Sequence, residues 1–333
     1  MASLSRALLV ICALLALVLG NHNQTLATDF ESVRAEIERV IDDDIEECRN
    51  NFAHQCIAPA LIRLAWHSAA TFDPIEPPHG GANGATMRFE PEASYEDNRG
   101  LDVAIDALKP IKELHPEMSY SDLWILAGYV AVERLEGPAI EFEGGRVDAA
   151  DGSMCPPEDR LPVWDNTVTE VQAIFHRMGL DDRDLVALMG AHSVGHTFPE
   201  NSGFPNLQWD TTPLKFDNMY YRLLLDTGWQ FESSGDREFF FNRSWIMLLT
   251  DIMIRDDEEL HKIAKEYYDD EALWHSDFAK AFKKITELGL KDGCPRFREP
   301  STAGGCPFIR SGKGAAAGKQ LPAGHPPVMA ASA

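Results

Sequence analysis

Arg63, Trp66 and His67 fall close together in the apolar run APALIRLAWHSAATFD, residues 58–73. Residues four apart share one face of a helix, so Arg63 and His67 sit side by side there, with Trp66 on the flank. A fixed cation, a titratable base and a large flat ring therefore converge on one small patch. That set suits heterolytic cleavage of a peroxide O–O bond. The base takes a proton from the incoming peroxide and returns it to the departing oxygen, while the guanidinium stabilises the charge developing there. The plainer use of the same residues is a core helix with a hydrogen-bonded histidine and an arginine at its rim. On this segment alone both uses stand.

A second segment, Gly190-Ala191-His192-Ser193-Val194-Gly195-His196, supplies what the first lacks. The stretch DDRDLVALM before it (181–189) reads as a helix with acidic residues in its first turn, where they suit the helix dipole. It stops at Gly190 and delivers His192 near the helix C-terminus. An imidazole so placed suits the axial position of a haem iron, provided that a partner orients its other nitrogen. Asp251, in LLTDI (248–252), is the expected acceptor. Two histidines four apart also suggest zinc, but no Glu follows the first and no third ligand is evident. His196 accordingly reads as a structural residue.

Taken together, these motifs resemble those of the class I haem peroxidases, the group that holds ascorbate peroxidase, cytochrome c peroxidase and the catalase-peroxidases. The resemblance runs from about Phe30 to Leu290 and includes LWILAGYVAVE (123–133), KFDNMYY (215–221) and DFAKAFKKITELG (277–289). It implies that Arg63, Trp66 and His67 form the distal catalytic set and that His192 is the iron ligand. It further implies that Asn98 orients His67, with Glu92 farther along that chain of hydrogen bonds. Asp251 becomes the proximal carboxylate and Trp209 the tryptophan packed beside His192. The implied cofactor is haem b. The implied activity is reduction of hydrogen peroxide to water through a ferryl intermediate, with one-electron oxidation of a donor.

Departures from the family pattern bear on that donor. Where ascorbate peroxidases carry a lysine and an arginine for ascorbate, this chain has Gln55 and Asn201. A cytochrome c-like protein or a small organic molecule is therefore the expected donor, in preference to ascorbate. The pieces GAH and NSG (201–203), and Met247 four residues before Asp251, follow cytochrome c peroxidase. The interval from His192 to Trp209 is one residue longer than the family's usual spacing. Ser193, Thr212 and Asp217 match oxygen ligands of a monovalent cation known in ascorbate peroxidases, whereas Asp210 and Lys215 differ from that set. A catalase-like activity is disfavoured, because no tyrosine is placed to join Trp66 in the crosslink it requires.

The elements that must hold these groups are helical nearly throughout. Expected helices cover Phe30–Asp44, Ala58–Ala70, Leu101–Leu114, Ser121–Leu135, Val168–Met178, Asp184–His192, Phe216–Leu225, Trp245–Arg255, Glu258–Asp269 and Glu271–Leu288, with a minor β-hairpin within Gln230–Asn242. This gives an all-α, two-lobed helical fold with haem between the lobes. The haem peroxidase domain is expected over 28–292. A chain of 333 residues with 44% hydrophobic content can bury a large core.

Outside that domain, residues 1–20 have a short basic start and an apolar run of signal-peptide length. They predict a secreted protein or one in a compartment derived from the endoplasmic reticulum, with membrane attachment only if the leader is retained. Asn23 and Asn242 lie in glycosylation sequons that agree with that route. The tail, 299–333, is rich in Gly, Ala and Pro and is expected to be disordered. Once Cys12 leaves with the leader, Cys48, Cys56, Cys155, Cys294 and Cys306 remain, an odd number that leaves at least one thiol unpaired in a monomer. Their pairing and the oligomeric state stay open. A net charge of −23 argues against a nucleic-acid partner and would attract a cationic redox protein. The reading of a different class is a non-catalytic secreted glycoprotein that kept the fold; Arg63, His67, His192 and Asp251 together argue against it.

Overall fold

A computed structural model describes residues 29–51 and 53–290; the expected leader and tail lie outside this range. Among the described residues the chain forms helices α1 (Phe30–Asn50), α2 (Ile57–Ala70), α3 (Asp102–Leu114), α4 (Tyr120–Arg134), α5 (Val168–Arg177) and α6 (Asp182–Met189). Then come the single turn α7 (Pro199–Ser202), α8 (Met219–Asp226), α9 (Leu249–Asp256), α10 (Glu258–Asp269) and α11 (Glu271–Thr286). The mostly helical fold expected from the sequence is what the chain adopts. No helix among the described residues is long and apolar enough to cross a membrane.

The strand content exceeds the expected hairpin. Strands β1 (Gln230–Ser234), β2 (Arg237–Asn242) and β3 (Trp245–Met247) form one antiparallel sheet in that order. The sequence pattern predicts a helix over Trp245–Arg255 that would include residues 245–247. Arg243, at φ +59°, turns the chain so that Trp245 pairs with Asn242 and Met247 with Phe240. The helix begins only at Leu249, because cross-strand pairing claims the three residues Trp-Ile-Met first.

Helix α2, which carries Arg63, Trp66 and His67, packs chiefly against α4. The close approach depends on Gly128, where a Cβ would lie 2.5 Å from that of Ala65. The first residue of α2 has no side-chain cap from its own neighbour. Instead Asp44 reaches over from α1 and accepts the Ile57 N–H at 2.7 Å. A disulfide from Cys48 to Cys56 ties the end of α1 to the same point. Cys155 is a buried free thiol, and Cys294 and Cys306 lie outside the described residues.

The helix leading to His192 is equally well specified. Asp181 and Asp184 form a capping box at the start of α6. At its far end, Tyr221 Oη donates to Val186 O at 2.7 Å and Trp274 Nε1 to Ala187 O at 3.0 Å, satisfying carbonyls that the helix leaves open. Gly190 must be glycine, since a Cβ there would meet Tyr221 Oη at 2.4 Å and Trp274 Nε1 at 2.6 Å. The chain then tightens into a 3₁₀ turn, Gly190–Ser193, which presents His192. The expected helix to His192 thus ends one tight turn earlier.

Candidate active site

His67 and His192 line one cavity of about 330 Å³, together with Arg63, Trp66 and Trp209. The two histidines come from α2 and from the turn after α6, more than a hundred residues apart in the chain. Apolar side chains that include Val171, Phe175, Leu188 and Leu248 form much of the remaining wall. A second cavity of about 520 Å³ shares Arg63, Trp66 and His67 and extends past Trp164, Phe204 and Arg237.

Each histidine has one ring nitrogen committed. Asn98 donates through Nδ2 to the Glu92 carbonyl at 2.9 Å, which turns its Oδ1 toward the His67 ring. His67 Nδ1 lies 3.0 Å from that oxygen, so Nδ1 must carry the proton and Nε2 holds the free lone pair. Burial, and then the neighbouring Arg63, hold His67 well below its ordinary pKa despite an opposing contribution from Asn98. The imidazole is thereby kept neutral and ready to accept a proton. Glu92 takes part through its backbone. Its carboxyl is buried elsewhere, beside Thr86 and Cys155, and burial pushes its pKa up to about 7.

Arg63 is anchored by two carbonyls of the loop that carries Asn98. Nη1 donates to Arg99 O at 2.8 Å and Nη2 to Asp97 O at 2.5 Å. Burial lowers its pKa to about 10, with Asp97 opposing, so it stays cationic at neutral pH. Trp66 packs on Phe175, ring centroids 5.6 Å apart.

On the other side, His192 Nδ1 lies 2.8 Å from Asp251 Oδ1. Asp251 is fully buried, and its Oδ2 accepts the Leu248 N–H at 2.8 Å, so one carboxylate both caps α9 and orients His192. With Nδ1 donating, Nε2 of His192 is the available ligand atom. Trp209 lies flat on this ring, centroids 4.0 Å apart and planes within 2°. The longer interval before Trp209 therefore does not displace it. His196 bonds instead to Asn206 Oδ1 at 2.7 Å and packs at a tilt against Phe198, ring centroids 4.2 Å apart, in keeping with a structural part.

Gln55 and Asn201 hold each other: Asn201 Nδ2 donates to Gln55 Oε1 at 2.9 Å, and Gln55 Nε2 to Gly100 O at 2.7 Å. Gly100 has φ +76°, and a Cβ there would run into Asn201. Thr212 Oγ1 donates to Asp210 Oδ1 and Asp217 Oδ1, at 3.3 and 3.1 Å. Ser193 Oγ and Asp210 Oδ2 are buried without a hydrogen-bond partner. Burial pushes Asp210 up to about 8. Lys215 Nζ stands 3.7 Å from Asp217 Oδ2.

The donor set fits haem, with a carboxylate-oriented imidazole on one side of an apolar-walled cavity and a neutral base and a cation on the other. The family model "Peroxidase" matches residues 33–270. The chain belongs to the peroxidase family. A putative heme-binding peroxidase of Yarrowia lipolytica is 41% identical over 279 residues, spanning 83% of this chain and 90% of its own. A putative mitochondrial cytochrome c peroxidase of the same organism is 38% identical over 268 residues, 80% of this chain and 91% of its own. The mitochondrial cytochrome c peroxidase of Aspergillus fumigatus is 39% identical over 265 residues, 79% of this chain and 70% of its own. This peroxidase is accordingly a haem-dependent oxidoreductase that takes hydrogen peroxide.

The mitochondrial relatives overturn the expected secretory location. That expectation rested on the apolar character of residues 1–20, and hydropathy alone does not identify the machinery that reads a leader. Sequence reasoning also missed Tyr220, whose Oη donates to Asp251 Oδ1 at 2.7 Å. It lies in the family stretch KFDNMYY, yet no local spacing connects it to a residue on α9.

Proposed function

We propose that the peroxidase cleaves hydrogen peroxide with His67 as general base and then acid, Arg63 as electrostatic stabiliser and His192 as the axial ligand. The supporting observation is that both imidazoles border one cavity with Nδ1 committed and Nε2 free. Haem, once bound, supplies the iron centre that takes the peroxide oxygen and stores the oxidising equivalents. His67 Nε2 accepts the proton of the incoming peroxide and hands it to the departing oxygen, which leaves as water. Arg63, fixed by the Asp97 and Arg99 carbonyls, faces the charge that develops on that oxygen without having to reorganise. Asn98 keeps His67 in the required tautomer, and Asp251 does the same for His192. Trp66 lines the same cavity as the base.

The favoured donor is a cytochrome c-like protein, with a small organic reductant as the alternative. Support comes from the net charge of −23, from Trp209 lying flat on His192, and from the relatives named cytochrome c peroxidase. A mitochondrial site of action accords with the same relatives. Ascorbate is disfavoured because Gln55 and Asn201 are neutral and bound to each other. Ser193, Thr212 and Asp217 are proposed as the residues that would offer oxygen ligands to a monovalent cation.

The test is reconstitution of purified protein with haem b, followed by mixing with hydrogen peroxide in a stopped-flow spectrometer. A Soret band that shifts within milliseconds is expected. Protein that takes up no haem, or holds it without reacting, would exclude the proposal and favour a non-catalytic scaffold.

A further inference from the structure

Asp251 Oδ1 serves two donors. It accepts the Nδ1–H of His192 at 2.8 Å and the phenolic O–H of Tyr220 at 2.7 Å, while Oδ2 takes the Leu248 amide. Among the described residues these are the hydrogen bonds that the carboxylate receives. Tyr220 and Asp251 are both fully buried, so water is not at hand to replace either bond. The tyrosine ring is held in place, edge-on to His192 at 6.2 Å and to Tyr221 at 5.0 Å between centroids. The hydroxyl position is therefore set by packing as much as by its partner.

A carboxylate oxygen that already accepts one hydrogen bond is a weaker acceptor for the next, because both draw on the same electron density. Tyr220 thus competes with His192 for Asp251 Oδ1. The stronger the pull of Asp251 on the Nδ1 proton, the more anionic the imidazole, and the more it favours the ferric over the ferrous state of a bound iron. We propose that Tyr220 is a positioning residue that moderates the His192–Asp251 hydrogen bond and thereby raises the reduction potential of the bound haem. The inference rests on His192 being the axial ligand. It assigns to a neutral hydroxyl at the second residue of α8 a part in setting how readily the iron accepts an electron.

The test is potentiometric titration of haem-reconstituted Tyr220→Phe beside the unaltered holoprotein, followed in the Soret region. The substitution removes one oxygen and keeps the ring. The expected result is an intact Soret band with the ferric–ferrous equilibrium moved about threefold toward ferric, a fall of about 30 mV for one electron. The iron–imidazole stretching frequency of the ferrous protein should rise at the same time. Should the phenylalanine variant fail to fold, 3,5-difluorotyrosine at position 220 keeps the hydroxyl and strengthens it as a donor, and the potential must then rise. An unchanged potential in either loaded variant, or a shift of the opposite sign, overturns the role of Tyr220. Failure of the unaltered protein to bind haem would instead remove the axial assignment on which it rests.

Discussion

The indole of Trp209 lies parallel to the imidazole of His192, with ring centroids 4.0 Å apart. Two large π-systems in van der Waals contact provide close electronic overlap between the candidate iron ligand and a ring that belongs to a separate aromatic cluster with Phe204 and Phe239. If that overlap carries electrons from a protein donor, Trp209→Phe should keep haem and the peroxide reaction while slowing ferrocytochrome c oxidation at least about tenfold. A variant that turns over cytochrome c at the unaltered rate would dissociate Trp209 from the donor path. Rates are read from steady-state kinetics at fixed, low ionic strength, because attraction by the acidic surface weakens with salt.

The distal base admits a direct test. His67→Leu should bind haem with a normal Soret band yet react with peroxide about 10²- to 10⁴-fold more slowly, the range that a positioned general base contributes. Near-normal reaction in stopped flow would show that another group takes the proton.

The pH dependence follows from two shifts of known sign. His67 is held below its ordinary pKa, and the base must be unprotonated to work. The peroxide rate should therefore stay flat as pH falls through 6.5, where an unperturbed histidine would already be titrating, and decline only at lower pH. Arg63, with its pKa near 10, stays charged across the neutral range and should impose a loss of rate only as pH approaches that value. A rate that halves near pH 6.5 would contradict the burial assigned to His67.

Ascorbate should not be a strongly preferred donor. Gln55 and Asn201 spend their amides on each other and on Gly100 and offer no cation to an anionic reductant. A donor screen of ascorbate, ferrocytochrome c and guaiacol checks this. A low-micromolar KM for ascorbate would reverse it.

Gly190→Ala tests the packing beneath the candidate iron ligand. The added methyl would collide with Tyr221 and Trp274, the two side chains that close the end of α6. Overpacking of this kind costs about 1–3 kcal/mol, and here the displaced segment carries His192. A lower thermal midpoint with weakened haem retention is expected in calorimetry and spectrophotometric titration; wild-type values for both would mean that the turn adapts freely.

Much of this was legible in the chain itself. The i, i+4 spacing of Arg63 and His67 placed both on one face of α2, and the acidic first turn of α6 with Gly190 at its end located the delivery of His192. These are local signals, written within a few residues by helix geometry and capping. Asp251 was the acceptor expected for His192 and Asn98 followed from the family pattern, and each lies within hydrogen-bonding distance of its histidine. What escaped were contacts between segments remote in sequence. The strand at Trp245–Met247 depends on pairing with β2. The amide clasp of Gln55 and Asn201 joins residues 146 positions apart. Glu92 takes its expected place in the chain of hydrogen bonds through its carbonyl, while its side chain turns into a buried pocket that no spacing rule describes. Residue types and local periodicity thus determined which groups could cleave a peroxide and which helices carry them. Only the packing of α8 against α9 decided that Tyr220 shares Asp251 Oδ1 with His192, since a hydrogen bond between buried side chains is set by where whole helices come to rest.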